Sequence, residues 1–264
     1  VFCSSSELDI TNLENCQAVF STYQPHFCIN TAAYTAVDKA ESEPAKAFDI
    51  NANGAENLAI TCKKHNTILI HISTDFVFDA YFSEGIAYYD RELRLPLKSN
   101  LGLTETDVPF PSGVYGLTKL QGEQAIQANL EKHFIIRTSW VYSQFGNNFM
   151  KTMLRLASER VTLSVVSDQI GTPTNAVDLA EVLIKIIQSY NYQSAFGIYN
   201  FSNEGVCSWY DFANEIFCQK GVSIDLKPIP TSAYPTPAKR PAYSVLDKTK
   251  IKSTFDIKIN DWQT

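Results

Sequence analysis

Apolar residues along this chain recur at two different periods. His26–Ala32, Ile68–Thr74, Phe134–Trp140 and Leu163–Val166 are short apolar runs without strict alternation, the pattern of strands buried on both faces. Between them, Asn12–Tyr23, Glu43–His65 and Val114–Leu130 space their apolar residues as one face of a helix. Thr11-Asn12-Leu13-Glu14 offers a capping side chain followed by an acid, a helix start. Strand alternating with helix predicts an α/β fold with a doubly wound, parallel, Rossmann-type sheet. From about Ser143 the pattern changes. Helices over Phe149–Arg160, Asn175–Tyr190 and Ser208–Lys220 are separated by loops bearing Pro and Gly. Four prolines in the thirteen residues Ile229–Pro241 predict an extended segment there. The expected division is a dinucleotide-binding domain over 1–142 and, over 143–264, a smaller substrate-binding lobe with some segments returning to the large domain.

Two features break the pattern. Neither GxGxxG nor GxxGxxG, the turn that cradles a pyrophosphate, occurs in the chain. Ala80–Thr106 is a long irregular stretch, and such loops are usually functional or mobile. The chain opens without Met on Val1-Phe2-Cys3, which reads as the end of a strand. In a sheet of order 3-2-1-4-5 that run would be strand 2 and His26–Asn30 strand 4, with the fingerprint-bearing strand 1 between them. The expectation is therefore that the sequence is an incomplete record lacking its first β-α unit, with a gap one strand wide between residues 1–3 and 26–30. Direct pairing of those two segments would instead undercut the dinucleotide reading.

Composition narrows the function. The net charge is −6 with no basic cluster, which argues against a nucleic-acid backbone as partner. At 45% apolar and 19% charged residues the chain is of ordinary globular composition. No apolar run approaches the roughly 20 residues that span a bilayer. The six cysteines form no CxxC pair and no zinc spacing, and they read as small buried residues of a reducing, cytoplasmic compartment.

Four constellations could carry chemistry. Tyr115 and Lys119 lie four apart in Tyr115-Gly-Leu-Thr-Lys119, on one face of the helix expected there. An ammonium beside a phenol lowers its pKa and makes it a better proton donor to a developing alkoxide, although a pair at this spacing is near chance expectation. Ser73-Thr74-Asp75 follows a strand, where the ligand crevice of an open parallel sheet lies. A hydroxyl there can hold a carbonyl oxygen, and strand-end capping is the plain alternative. Thr31-Ala-Ala-Tyr34 follows another strand, with small residues that admit a ligand close to the main chain or serve packing alone. Ser139-Trp140 follows a third, where the indole could stack on a sugar or cap the core. All four fall at carboxyl ends of strands or on the helix behind them.

The motifs Asp9-Ile-Thr11, Ile29-Asn-Thr-Ala-Ala-Tyr-Thr-Ala-Val-Asp-Lys-Ala-Glu41, Ser73-Thr-Asp-Phe-Val-Phe78, Val114-Tyr-Gly-Leu-Thr-Lys119, Arg137-Thr-Ser-Trp-Val-Tyr142, Asp168-Gln-Ile-Gly-Thr-Pro-Thr174 and Arg240-Pro241 together resemble the dTDP-4-dehydrorhamnose reductases. These are extended short-chain dehydrogenase/reductases, and the resemblance runs nearly end to end. It implies reduction by NAD(P)H of the 4-keto group of dTDP-4-dehydro-L-rhamnose, the last step to dTDP-L-rhamnose for cell-surface polysaccharide. Carried over by position, it implies Thr74, Tyr115 and Lys119 as the catalytic set. Asp9 and Ile10 would flank the adenine, and Ala32, Ala33, Ser73, Tyr115 and Lys119 would line the rest of the cofactor path. Val37, Thr74, Asp75, Phe76, Tyr115 and Trp140 would contact the sugar, and Arg240 the nucleotide. The chain departs from the family in three ways. The glycine fingerprint is absent. Thr74 and Tyr115 lie 41 positions apart, so residues 80–106 carry an insertion beside the site. Some relatives bind magnesium between subunits through a glutamate whose place is taken here by Val177, so no metal is expected.

Rival readings stay open. A dehydratase of the superfamily needs an acid/base Asp-Glu pair after the threonine, whereas here Asp75 is followed by Phe76. An epimerase would lack the TAVDKAE and DQxGTPT runs. A non-catalytic subunit, like the regulatory subunit of methionine adenosyltransferase, would suit the absent glycine turn, but Thr74, Tyr115, Lys119 and Trp140 are intact. NADPH is the expected cofactor with NADH also open, because Ser4-Ser5-Ser6 could bond a phosphate or a ribose. Oligomeric state is open, a homodimer included. In the insertion, expected at the rim of the crevice, Tyr81, Phe82, Tyr88 and Tyr89 would either pack on the small lobe or serve as a lid, with a disordered surface loop as the plain alternative.

Overall fold

The run Ile68-Leu-Ile-His-Ile-Ser-Thr74 forms strand β2, and its alternating side chains divide the core in two. Ile68 and Ile70 face one layer of helices with Phe134, Ile136 and Tyr199. Leu69 faces the other with Ile126, Ile135 and Leu58. Burial on both faces is why the run is apolar without alternation. The computed structural model describes residues 1–82, 89–90, 95–96, 102–189 and 194–264, side chains at 79–82, 89–90 and 95–96 excepted. The expectation for Tyr81, Phe82, Tyr88 and Tyr89 concerns side chains outside the described residues.

The main sheet is wholly parallel. Among the described residues its four strands are β1 (Phe27–Asn30), β2 (Ile68–Thr74), β3 (His133–Thr138) and, after a strand of a second sheet (β4, Thr162–Val166), β5 (Gly197–Asn200), in the order β1-β2-β3-β5. Helices α1 (Leu13–Tyr23), α4 (Gly54–His65) and α5 (Val114–Asn129) cover one face. Helices α7 (Ala176–Gln188) and α9 (Thr249–Phe255) cover the other. The helix expected over Glu43–His65 is three pieces, α3 (Pro44–Phe48), a π turn Asp49–Asn53 and α4. The short helix α2 (Val37–Ala40) precedes them. Among the described residues no helix is long and apolar enough to cross a membrane.

Leu163–Val166 is a strand, as expected, but it does not join the main sheet. As β4 (Thr162–Val166) it pairs in parallel with β6 (Asp225–Ile229). This second sheet packs with α6 (Phe149–Glu159) and α8 (Trp209–Lys220) around Met153, Leu163, Val165, Phe212 and Phe217. It has its own core because its helices present apolar faces that the first sheet, covered on both sides, cannot take. The proline-bearing run is irregular rather than uniformly extended, with a 3₁₀ turn at Thr231–Ala233 and bends at Tyr234 and at Pro237–Ala238.

Val1-Phe2-Cys3 is not a strand; these residues are exposed and irregular. They form no ladder with β1, whose pairing among the described residues is with β2. A cleft of about 920 Å³ lies between the two segments, lined by Cys3, Asp9, Ile10, Asn30, Ala32 and Ala33 among others.

Candidate active site

The site begins with how closely α5 approaches the sheet. A Cβ on Gly116 would stand 2.4 Å from Phe76 O, and one on Gly122 2.2 Å from Asn51 O. No side chain fits either place, so the glycine inside Tyr115-Gly-Leu-Thr-Lys119 lets the helix press on the end of β2. Asn51, in the π turn, accepts from Tyr34 N at 2.8 Å and donates to Thr118 Oγ1 at 3.1 Å, tying α5 to the loop after β1. The first turn of α5 has no cap of its own. Glu41, the last residue of the TAVDKAE run, accepts from Val114 N at 2.9 Å, putting a carboxylate at the helix N-terminus.

This approach brings Tyr115 to Thr74. The Thr74 hydroxyl acts on the phenol to lower its pKa, while it donates to Asp75 Oδ1 at 3.1 Å. The Phe76 ring meets the Tyr115 ring edge-on, with centroids 5.4 Å apart. Burial pushes the phenol up to about 12, opposed by the Thr74 hydroxyl and reinforced by the Asp75 charge. The lowering that a neighbouring ammonium would cause is therefore not found in this state. Lys119 is buried and turned to the sheet, donating to Ile72 O at 2.7 Å with its amine 3.2 Å from His71 Nε2. Burial lowers its pKa to about 8, against the pull of Glu123.

Ser73 is committed elsewhere. Its hydroxyl donates to Glu123 Oε1 at 2.5 Å, and Glu123 is gripped by Arg137 through Nε at 3.0 Å and Nη2 at 2.7 Å. This buried trio welds β2, β3 and α5 together directly behind Thr74. Asp9, Ile10, Ala32 and Ala33 line the cleft along β1. Asp9 is exposed and Ile10 is buried.

Trp140 and Arg240 belong to the second layer. Trp140 has φ +49, a left-handed backbone that costs a bulky residue energy. That turn lays its indole on Trp209, with centroids 3.7 Å apart and planes 12° from parallel. Arg240 forms a two-pronged pair with Asp38, at 2.8 and 3.0 Å, which holds the Asp38 carboxyl below its usual pKa. Asp38 stands next to Val37 at the start of α2. Arg240 also borders a cleft of about 790 Å³ with Phe149, Trp209, Tyr234 and Gln169. Thr74, Asp75, Phe76 and Tyr115 are thus brought together, with Lys119 one turn along the helix. Arg240 stands on the second cleft, and Trp140 lies behind it, stacked on the cleft residue Trp209.

Sequence reasoning passed over Asn30, His71, Glu123, Arg137 and Trp209. A signal for some existed: His71 and Ser73 are two apart on a strand, and Lys119 and Glu123 are four apart on the helix behind it.

The whole chain, residues 1–264, matches the family profile described as RmlD substrate binding domain. It is 42% identical over 266 residues to a dTDP-4-dehydrorhamnose reductase of Aggregatibacter actinomycetemcomitans, covering 98% of this chain and 85% of that one. Among solved structures it resembles the dTDP-4-dehydrorhamnose reductase of Bacillus anthracis in complex with NADP, with TM-score 0.87 and 38% identity over 99% of this chain and 85% of that one. The reductase of Clostridium acetobutylicum gives TM-score 0.87 and 39% identity, over 100% and 86% of the two chains.

Proposed function

The chain belongs to the dTDP-4-dehydrorhamnose reductase family, and from that premise we propose that it reduces the 4-keto group of dTDP-4-dehydro-L-rhamnose to give dTDP-L-rhamnose, with NADPH as reductant. The observation that carries the reading is the Tyr115 phenol set against the Phe76 ring beside Thr74 at the end of β2, with the buried Lys119 amine one helical turn along α5. The division of labour that follows is a dinucleotide-binding domain over 1–142 and, over 143–264, mainly a substrate-binding lobe. The cytoplasm is the expected compartment.

The residues present fit a dinucleotide. The cleft along β1 is within the roughly 300–1,000 Å³ range of ligand sites. Ala32 and Ala33 leave their backbone open to close approach, and Lys46 adds a cation to the lining. Asp9, Ile10, Ala32 and Ala33 would hold the cofactor there, and Lys119 would complete its path. Ser73 supports that path from behind, since its hydroxyl is spent on Glu123. When bound, NADPH supplies the hydride.

The chain's own residues do the rest. With its pKa near 12, the Tyr115 phenol is fully protonated at neutral pH and so can donate to the alkoxide that forms as the ketone is reduced. Thr74, at the end of β2 beside Tyr115, would hold the substrate carbonyl oxygen together with the phenol. The positive form of Lys119 stabilises the phenolate left after proton transfer. Val37, Asp75, Phe76 and Trp140 form the sugar subsite in this reading, and Arg240 borders the nucleotide subsite together with Trp209. The test is to mix the purified protein with NADPH and the keto-sugar and follow loss of nicotinamide absorbance. No oxidation above that seen without the sugar would refute the reading.

A further inference from the structure

His71 takes no part in the mechanism above, yet it is buried against the Lys119 amine. It lies opposite Asn30 across the β1–β2 ladder, and the side chains join: Asn30 Nδ2 is 2.9 Å from His71 Nδ1. The amide's other end is spoken for, because Asn30 Oδ1 accepts from Ala32 N at 3.0 Å. Those bonds determine where the imidazole proton sits. An amide NH₂ facing Nδ1 requires a lone pair on Nδ1, so the proton is on Nε2. That N–H points at Lys119 Nζ, 3.2 Å away. An amine can accept it only with its own lone pair, and an ammonium has none. Burial, with the Lys119 charge beside it, also holds His71 far below its ordinary pKa, so the ring stays neutral and its tautomer is the variable.

We propose that His71 is a positioning residue which, with Asn30, links the charge of Lys119 to the backbone N–H of Ala32. The arrangement seen here belongs to the uncharged amine. When Nζ takes a proton from solvent, the imidazole must present a lone pair at Nε2. Its single proton therefore moves to Nδ1, with no change in the ring's proton count. The Nδ1–H then needs an acceptor, which Asn30 supplies by turning Oδ1 toward it and releasing Ala32 N–H into the cleft. An acceptor atom of a ligand that takes the Ala32 N–H therefore favours the charged lysine. The other groups around the amine are Glu123 and Tyr115 on its own helix, and Arg137 from β3, which is paired with Glu123. Asp75, at the end of β2, acts on Tyr115. These set the background charge but do not couple it to Ala32.

The inference rests on Lys119 belonging to the catalytic set, but its test does not require turnover. In the whole protein labelled with ¹⁵N-histidine and ¹³C-lysine, the His71 ring nitrogens and Lys119 Cε are followed from pH 6 to 10. The expected result is one tautomer switch, Nδ1–H at low pH to Nε2–H at high pH, at the midpoint of the Lys119 titration. A His71 that keeps one tautomer through that titration overturns the proposal, whether or not the variants fold. A second arm compares Asn30→Asp with and without His71→Leu. An acceptor-only side chain at position 30 should raise the Lys119 midpoint by about one pH unit or more when His71 is present, and by less than half as much when it is not. Equal shifts in the two backgrounds would mean simple charge attraction and would also overturn it. Loss of reductase activity in Tyr115→Phe, or its absence, leaves both readouts intact, so failure of the functional reading and failure of this one are separable.

Discussion

The end of the main sheet and the cleft of the second layer are built on opposite terms. Around Thr74, every side chain discussed sits on a regular element or directly at its end, and most are buried: His71, Ser73, Lys119, Glu123 and Arg137 all lie below 4% exposure. Their polar atoms are engaged in two buried hydrogen-bonded groups, His71 with Lys119 and Ser73 with Glu123 and Arg137. Around the second cleft, Trp209, Arg240 and the Trp140 stacked behind Trp209 are half-buried and Tyr234 is exposed. They stand at element ends and in the proline-bearing segment, held by ring stacking and a solvent-accessible ion pair. On the proposed assignment of the site residues, the difference matches two tasks. Moving a proton requires charges held in one state, and a low local dielectric makes each of them count. Holding a nucleotide-sugar requires area and shape, and those tolerate partial exposure.

The comparison breaks most sharply at Tyr115. Tyr115→Phe keeps the ring against Phe76 and removes the acidic hydroxyl, so turnover should fall about 10²- to 10⁴-fold while NADPH binding survives. Near-normal turnover would remove Tyr115 from the mechanism.

Next comes the buried pair. Glu123→Gln strands Arg137 without its counter-charge and should cost about 3–5 kcal/mol of unfolding free energy. The pair Arg155–Glu159 is a control, because both side chains are about half exposed. Arg155→Ala should cost less than about 1 kcal/mol. Comparable losses in urea unfolding would show that burial is not what separates the two kinds of pair.

Lys119 gives the same contrast through pH. Its folded pKa is lowered from 10.5 to about 8, so between those values the unfolded chain binds more protons, and this group's contribution to stability rises with pH across the window. Below about pH 8 the buried charge is a standing cost. Lys119→Met should therefore gain most relative to the native protein near pH 7, and the gain should shrink by pH 10. A stability difference flat from pH 7 to 10 would contradict the lowered pKa. The same variant should weaken cofactor binding.

In the second layer the effects should be smaller and fall on affinity. Trp140→Ala should raise the substrate KM about fivefold, on the scale of one aromatic contact of roughly 1 kcal/mol, with little change in kcat. Arg240→Ala should raise it only a few-fold, since its charge already serves Asp38 at a partly exposed site. A dissociation constant for dTDP unchanged by Arg240→Ala would remove that residue from the nucleotide subsite.

What the sequence determined by itself is what periodicity and local chemistry can carry. The strand Ile68–Thr74 is found with the expected ends, and α5 begins at Val114 as expected because its face pattern starts there. The association of Thr74 with Tyr115 was legible as well, since strand ends and the helix behind them converge in any parallel α/β sheet. Tertiary structure alone decided the rest. Leu163–Val166 has the apolar pattern of a central strand, but pattern does not name a partner, and β6 lies some sixty residues further on. Val1-Phe2-Cys3 is apolar enough for a strand, but it has no ladder and is none. Ser73 reads as a hydroxyl free for a ligand until Glu123 and Arg137 arrive from α5 and β3 to claim it. The direction of the Lys119 amine depends on His71 and Ile72 across the sheet–helix interface. Hydrogen bonds between residues dozens of positions apart leave no local trace, because each partner is ordinary in its own segment and becomes specific only when packing takes water away.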